Sequence, residues 1–249
     1  MFRNCTSLTT TPALPATTLK DNCYEGMFRN CTSLTTAPIL PAKTLAMQCY
    51  KYMFKGCGSL KTPPELPATT LKDNCYEEMF QDCTSLTTAP SLSSTTLAGS
   101  CYYGMFQGCT SLTTAPILPA TTLADSCYSC MFQGCGSLKT PPELPATTLS
   151  FYCYSNMFRN CTSLTTAPIL PAKTLAMQCY KYMFNRCSNL SYIKAMFTTP
   201  PSPSNSSYTY NWLNGVKSSG TFVKNSSATW SLTGASGIPS GWTVQTASS

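Results

Sequence analysis

MFRNCTSLTTAPILPAKTLAMQCYKY fills residues 27–52 and recurs, letter for letter, at residues 157–182. Working outward from either copy, Met-Phe returns at Met1, Met27, Met53, Met79, Met105, Met131, Met157 and Met183, always 26 residues apart. Seven full copies run from 1 to 182, and an eighth begins at Met183 and decays. A fixed period of this length marks a solenoid or a similar array: one unit cannot bury its own apolar face, so stacked neighbours bury it.

Comparing the copies shows which positions are held fixed. Leu34, Thr36, Pro38 and Leu40 recur in every full copy, while the interleaved Thr35, Ala37 and Ile39 change. Alternation with period two predicts a strand with one buried face. Short strands are expected near Leu34–Pro38 and its equivalents, from Leu8–Pro12 to Leu164–Pro168, forming one parallel sheet and each ended by a Pro that cannot donate to a ladder. The second half of the repeat steps by four, through Leu45, Cys49, Met53 and Cys57, with Tyr50 and Phe54 in a parallel row. That pattern predicts amphipathic helices beginning near Leu19, Leu45, Leu71, Leu97, Leu123, Leu149 and Leu175, with the preceding Thr (Thr44, for example) as N-cap.

Composition narrows the chemistry. The chain has 249 residues with Lys+Arg 16, Asp+Glu 9, a net charge of +7, only 10% charged residues and no His. Without His there is no Ser-His-Asp triad, Cys-His dyad or His metal site. The nine carboxylates are scattered over the repeats with no convergent polar cluster, so no catalytic residues and no cofactor are expected. The thin positive charge argues against nucleic acid as partner. No apolar run approaches the ~20 residues of a membrane span, so membrane insertion is not expected.

Fifteen of the 16 cysteines fall on two columns, one from Cys5 to Cys187 and one from Cys23 to Cys179. On helices, members of the two columns would sit about 12 Å apart. Neighbouring helices would lie roughly 8–10 Å apart, beyond the ~7 Å reach of a disulfide. Both columns are therefore expected to be buried and reduced, with no metal bound. Cys130, off the columns, is expected to be exposed and the one readily labelled thiol. The tyrosines from Tyr24 to Tyr180 are expected to pack between helices with their hydroxyls at the rim.

The outward strand positions form the candidate binding face: Thr35, Ile39, Lys61, Glu65, Thr87, Ser91, Thr113, Ile117, Lys139, Glu143, Thr165 and Ile169. Lys61 with Glu65, and Lys139 with Glu143, are expected to make exposed same-face ion pairs.

The cadence carried by Phe28, Cys31, Ser33, Leu34 and Pro41, with Cys-Tyr ahead of the next Met-Phe, resembles the BspA-like leucine-rich repeats of bacterial surface proteins. The resemblance covers 1 to about 197. It implies an α/β solenoid, right-handed and curved, with a parallel sheet on one side, helices on the other, and a role in adhesion or partner binding. The high Cys and Met content and the bland outward positions depart from the family.

Beyond Phe197 the composition changes. Residues 198–207 read as a Pro/Ser linker and 208–249 as a small β-rich segment holding Trp212, Trp230 and Trp242. Its wording resembles the terminal segment that follows such repeats in gut-bacterial and associated phage proteins. It is expected to cap the last repeat, with a receptor-binding tip as the competing reading. At the other end the sequence starts in phase with a repeat. A missing N-terminal part of a longer protein, or a neighbouring chain or domain over that repeat, would cover the face left open there.

Two functions are compatible with this sequence. One is a non-enzymatic repeat protein displayed at the cell surface or outside the cell, binding a protein or glycan ligand on a host or bacterial surface. The alternative, favoured by so many unpaired thiols, is a structural or receptor-binding part of a gut phage virion made in a reducing cytoplasm.

Overall fold

A computed structural model describes residues 2–247, so Met1, the first methionine of the series, lies outside it. Every 26 residues the chain completes one coil. Isolated parallel bridges join Thr36 to Thr62, Thr114 to Thr140 and Thr166 to Tyr192, which sets the register between neighbours. This is the stacked parallel arrangement expected of a solenoid.

The helices expected from Leu19, Leu45, Leu71, Leu97, Leu123, Leu149 and Leu175 are not formed. Among the described residues there is no α-helix; helical geometry is limited to short 3-10 segments at Pro203–Thr209 and Gly234–Ser236. The four-residue spacing has another cause. Every fourth residue takes a positive φ: Gln48 (55°), Tyr52 (58°) and Gly56 (76°) in one coil, Asn74 (59°), Glu78 (49°) and Asp82 (59°) in the next. Each left-handed residue turns the chain, so the spacing is four rather than the 3.6 of a helix. Thr44 does not cap a helix but pairs with Thr70 in a parallel bridge.

Backbone donors in this turn column divide into two sets. The N–H groups of Cys49, Lys51, Met53, Lys55 and Cys57 bond three residues back, to the carbonyls of Ala46, Gln48, Tyr50, Tyr52 and Phe54. Those of Gln48, Tyr50, Tyr52, Phe54 and Gly56 bond forward, to Asp73, Cys75, Glu77, Met79 and Gln81 of the next coil, at 2.8–3.1 Å. Alternate residues thus close turns and tie coils together, which satisfies the buried backbone.

The expected strands shrink to single bridges over residues 2–190. Pro38 and its equivalents sit in each extended segment, with a second proline at the Pro41 position in every full copy but the one holding Ser93, and a proline cannot extend a ladder. Full strands occur only further along: β1 (Tyr192–Ala195), β2 (Thr221–Lys224) and β3 (Thr243–Thr246) form one parallel sheet in the order β1-β2-β3.

The core is a set of columns along the stack. Phenylalanine rings from Phe2 to Phe184 stack with centroids 5.6–5.7 Å apart. Tyrosine rings from Tyr24 to Tyr180 stack at 5.7–6.0 Å. Such rows combine apolar burial with offset ring contacts. The expected rim placement of the hydroxyls fails at Tyr50 and Tyr180, whose phenol oxygens are buried without a hydrogen-bond partner.

All 16 cysteines are free thiols. Coils sit at about strand spacing, ~4.8 Å, so the separation argument against disulfides does not hold; direction replaces it. The sulfurs of Cys57, Cys83, Cys109, Cys135 and Cys161 each donate to the carbonyl of a phenylalanine in the preceding coil, at 3.0–3.1 Å. That same carbonyl accepts the N–H of its own coil's cysteine. Two exposure expectations are corrected. Cys130 is buried, because it takes a left-handed turn position (φ 58°) facing Tyr103, with sulfur and phenol oxygen 3.7 Å apart. Cys5 and Cys23 are exposed, because no described coil precedes theirs.

The chain beyond 197 continues the stack. The N–H groups of Tyr180, Tyr182, Phe184 and Arg186 bond to the carbonyls of Tyr208, Tyr210, Trp212 and Asn214, and Asn211 (φ 50°) and Gly215 (φ 75°) repeat the four-residue left-handed spacing. Residues 208–215 therefore form another row of the turn column. Trp212 is fully buried, its indole N–H donating to the Gly237 carbonyl at 2.9 Å, and it packs edge-on against Phe222 with centroids 6.2 Å apart.

Candidate functional site

All twelve positions of the candidate face are exposed. The cause is local. From the second coil onward Pro38, Leu40 and their equivalents turn inward, which forces the residue between them outward. The isoleucines gain nothing by burial there: Ile39 is 83% exposed, Ile117 80% and Ile169 54%. Neighbouring coils leave open grooves between these extended segments. One of about 660 Å³ is lined by Thr10, Pro12, Leu14, Thr36, Pro38 and Ile39. Two more, about 430 and 450 Å³, lie between residues 62–67 and 88–93 and between 141–145 and 167–171. The ion pairs expected on this face are not made. Lys61 and Glu65 are four residues apart on extended chain, roughly 13 Å, with Pro63 and Pro64 between them, and Lys139 and Glu143 repeat this arrangement.

Among the described residues the two ion pairs lie instead on the turn column. Lys51 pairs with Glu77 at 3.0 Å and Lys55 with Glu78 at 2.5 Å. Arg29, Lys51 and Lys55 surround the Tyr52 ring at 5.5, 4.9 and 5.1 Å from its centroid. In the second copy of the same sequence, Arg159 and Lys181 lie 5.5 and 5.8 Å from the Tyr182 ring. They border a polar cavity of about 420 Å³ shared with Tyr103, Ser129, Tyr152 and Asn156. No motif or periodicity in the sequence singles out this cluster. Its signal was the identical pair of segments, followed by Glu77-Glu78 in one case and not in the other.

The buried thiols are not activated nucleophiles. Burial pushes the thiols of Cys49, Cys57, Cys135, Cys153 and Cys187 up to about 12, so they stay protonated at neutral pH. Among the described residues no group of three metal-ligating side chains converges. Nor, among them, is any helix long and apolar enough to cross a membrane.

Repeat period, parallel register and the fixed Leu, Cys and Pro positions meet in one comparison. The chain matches the family described as BspA type Leucine rich repeat region, in 6 copies, over residues 1–139 and 76–200. It is a BspA-type leucine-rich repeat protein. Among solved structures it is similar to a TLR13-ssRNA13 complex at 16% identity and a TM-score of 0.39, covering 81% of this chain and 31% of the other. A leucine-rich repeat protein from Bacteroides ovatus ATCC 8483 is similar at 19% identity and a TM-score of 0.32, covering 82% of this chain and 58% of the other. This BspA-type chain thus spans less than two thirds of both structures. No curated protein matches it.

Proposed function

We propose that this protein is a non-enzymatic binding repeat, displayed at a cell surface or outside the cell, that holds a protein or glycan through the proline-lined face. The observation carrying this reading is that twelve exposed positions, four of them charged and three isoleucine, change from coil to coil on a buried framework that stays constant. A scaffold that fixes the backbone and varies the outward side chains makes a recognition surface. With it go the right-handed curvature that the family resemblance implies, and a capping role for residues 208–249 beyond the 198–207 connection. Arrays of host glycans and host surface proteins test the reading, using the full chain and the triple variant Ile39→Asp, Ile117→Asp, Ile169→Asp. A specific ligand lost by the triple variant supports it. A ligand bound equally by both proteins removes this face as the site.

The free thiols favour a second reading, assembly in a reducing cytoplasm as part of a phage virion, since unpaired thiols are disfavoured in oxidising compartments. Finding the protein in purified virions rather than in cell envelopes would decide for it. Removal of 205–249 tests the cap: the truncated repeats should expose the apolar side of the eighth coil and aggregate. A monomeric truncation with unchanged melting would refute capping and leave the tail as a tip.

A further inference from the structure

The 26-residue sequence that occurs twice is a natural control for what lies beside it. Of the three cations around Tyr52, Arg29, Lys51 and Lys55, the two lysines meet carboxylates supplied by the next coil, Glu77 and Glu78. Around Tyr182 the same sequence provides Arg159 and Lys181, but the next coil brings no acid. The Tyr182 N–H bonds to the Tyr210 carbonyl as the Tyr52 N–H bonds to that of Glu77, so Tyr210 and Asn211 stand where Glu77 and Glu78 would. The Tyr210 ring meets Tyr182 edge-on, with centroids 5.4 Å apart. Neither Arg159 nor Lys181 has a carboxylate within ion-pair distance among the described residues; the Nε of Arg159, like that of Arg29, is buried without a hydrogen-bond partner, so the copies differ at Lys181, which lacks the acid that Lys51 has.

The cavity beside this unmatched pair of cations is about 420 Å³, within the size range of small-molecule sites, and no carboxylate lines it. Hydroxyls do: Tyr103, Ser126, Ser129, Tyr152 and Ser155 border it, with the Asn156 amide among them. Tyr152 keeps 38% of its surface exposed at the margin. Of the acids in neighbouring coils, Glu77 and Glu78 are held by Lys51 and Lys55, and the Asp125 carboxylate, next in sequence to Ser126, accepts from the Ser150 hydroxyl and the Phe151 N–H.

We propose that this cavity binds a sugar carrying one carboxylate or sulfate group. The anion sits between the Arg159 guanidinium and the Lys181 ammonium, the second of which corresponds to the Lys51 that Glu77 holds in the first copy. The sugar hydroxyls donate to the Ser129 and Ser155 oxygens, whose own protons are given to the Ser155 and Lys181 carbonyls, and exchange hydrogen bonds with the Ser126 and Tyr152 hydroxyls, while a ring face rests on the exposed tyrosine. The site shares no residue with the proline-lined face, so it stands or falls apart from the function proposed above.

Calorimetric titration of the full chain with glucuronate, glucose 6-sulfate, glucose and inorganic sulfate tests this. Either acidic sugar, or both, should bind at least 10-fold more tightly than glucose or sulfate; which of the two binds more tightly identifies the anion. Arg159→Gln and Lys181→Gln should each lower affinity 10-fold or more, and Lys51→Gln, at the internally neutralised copy, should not. Tyr210→Glu restores a carboxylate on an exposed rung beside Lys181 and should abolish binding while the circular dichroism spectrum stays that of the folded chain. If neither acidic sugar binds, if inorganic sulfate binds as tightly, or if Tyr210→Glu binds like the wild type, the assignment is wrong.

Discussion

The two cysteine columns look alike in sequence but differ in chemistry, and serine substitution should separate them. Cys101 and Cys109 are both fully buried. The Cys109 sulfur donates to the Phe80 carbonyl at 3.1 Å, whereas the Cys101 sulfur donates to no carbonyl among the described residues. A hydroxyl at 109 inherits an acceptor already aimed at it, so the net exchange should cost about 0–1 kcal/mol. A hydroxyl at 101 is buried beside stacked tyrosines with no assured acceptor, at about 1–3 kcal/mol. Cys101→Ser should therefore be the less stable variant by roughly 1–2 kcal/mol. Urea unfolding followed by circular dichroism, in reducing buffer and with the slope checked for constancy, measures the difference. Equal losses, or a larger loss at 109, would show that the sulfur-to-carbonyl contacts contribute nothing and that both columns are simple packing.

High pH should unfold the protein. The unfolded thiols lose their protons from about pH 8.5, whereas Cys49, Cys57, Cys135, Cys153 and Cys187 keep theirs in the fold up to about 12. The folded state then holds more protons, so stability is full below about pH 8.5 and falls from there towards 12, by about 1.4 kcal/mol per thiol per pH unit. Five such thiols exhaust a typical stability within one or two units, and loss of the circular dichroism signal is expected by about pH 11; an intact signal at pH 11.5 contradicts this. In native labelling with a maleimide at neutral pH, Cys5 and Cys23 should react within minutes and Cys130 only on unfolding; mass spectrometry of the peptides reads the order. Deleting 105–130 removes one coil in phase and should leave a folded, shorter protein, while deleting 105–128 breaks the forward hydrogen bonds and should not fold. Equal behaviour of the two deletions would refute the rigid register.

Much of this was readable because the repeat is so regular. The period fixed the parallel register, and the invariant Leu, Cys, Tyr, Met and Phe positions are the buried columns. The helix expected from the sequence does not form: apolar spacing alone does not separate a run of 3.6 from a run of four. A second signal was present: Asn22, Gly26 and Asn30, or Ser100, Gly104 and Gly108, place left-handed formers at every fourth position, and these carry φ values of 51–73°. The same cue, Asn211 then Gly215, marked 208–215 as another row rather than a strand. The twelve outward positions followed from period two. The cluster at Arg159 and Lys181 did not, because it draws on coils far apart in sequence and on an acid that the following rung lacks.

The bonds joining one coil to the next point along the stacking axis, so a pull applied at the two ends loads them in tension rather than in shear. Tension concentrates on one interface at a time, and the rungs there open in succession. Each coil that peels away frees 26 residues, about 90 Å of contour length, before the next interface bears the load. Under force the molecule should lengthen in near-equal steps, as a spool unwinding, and it should rewind by the same register when slack returns.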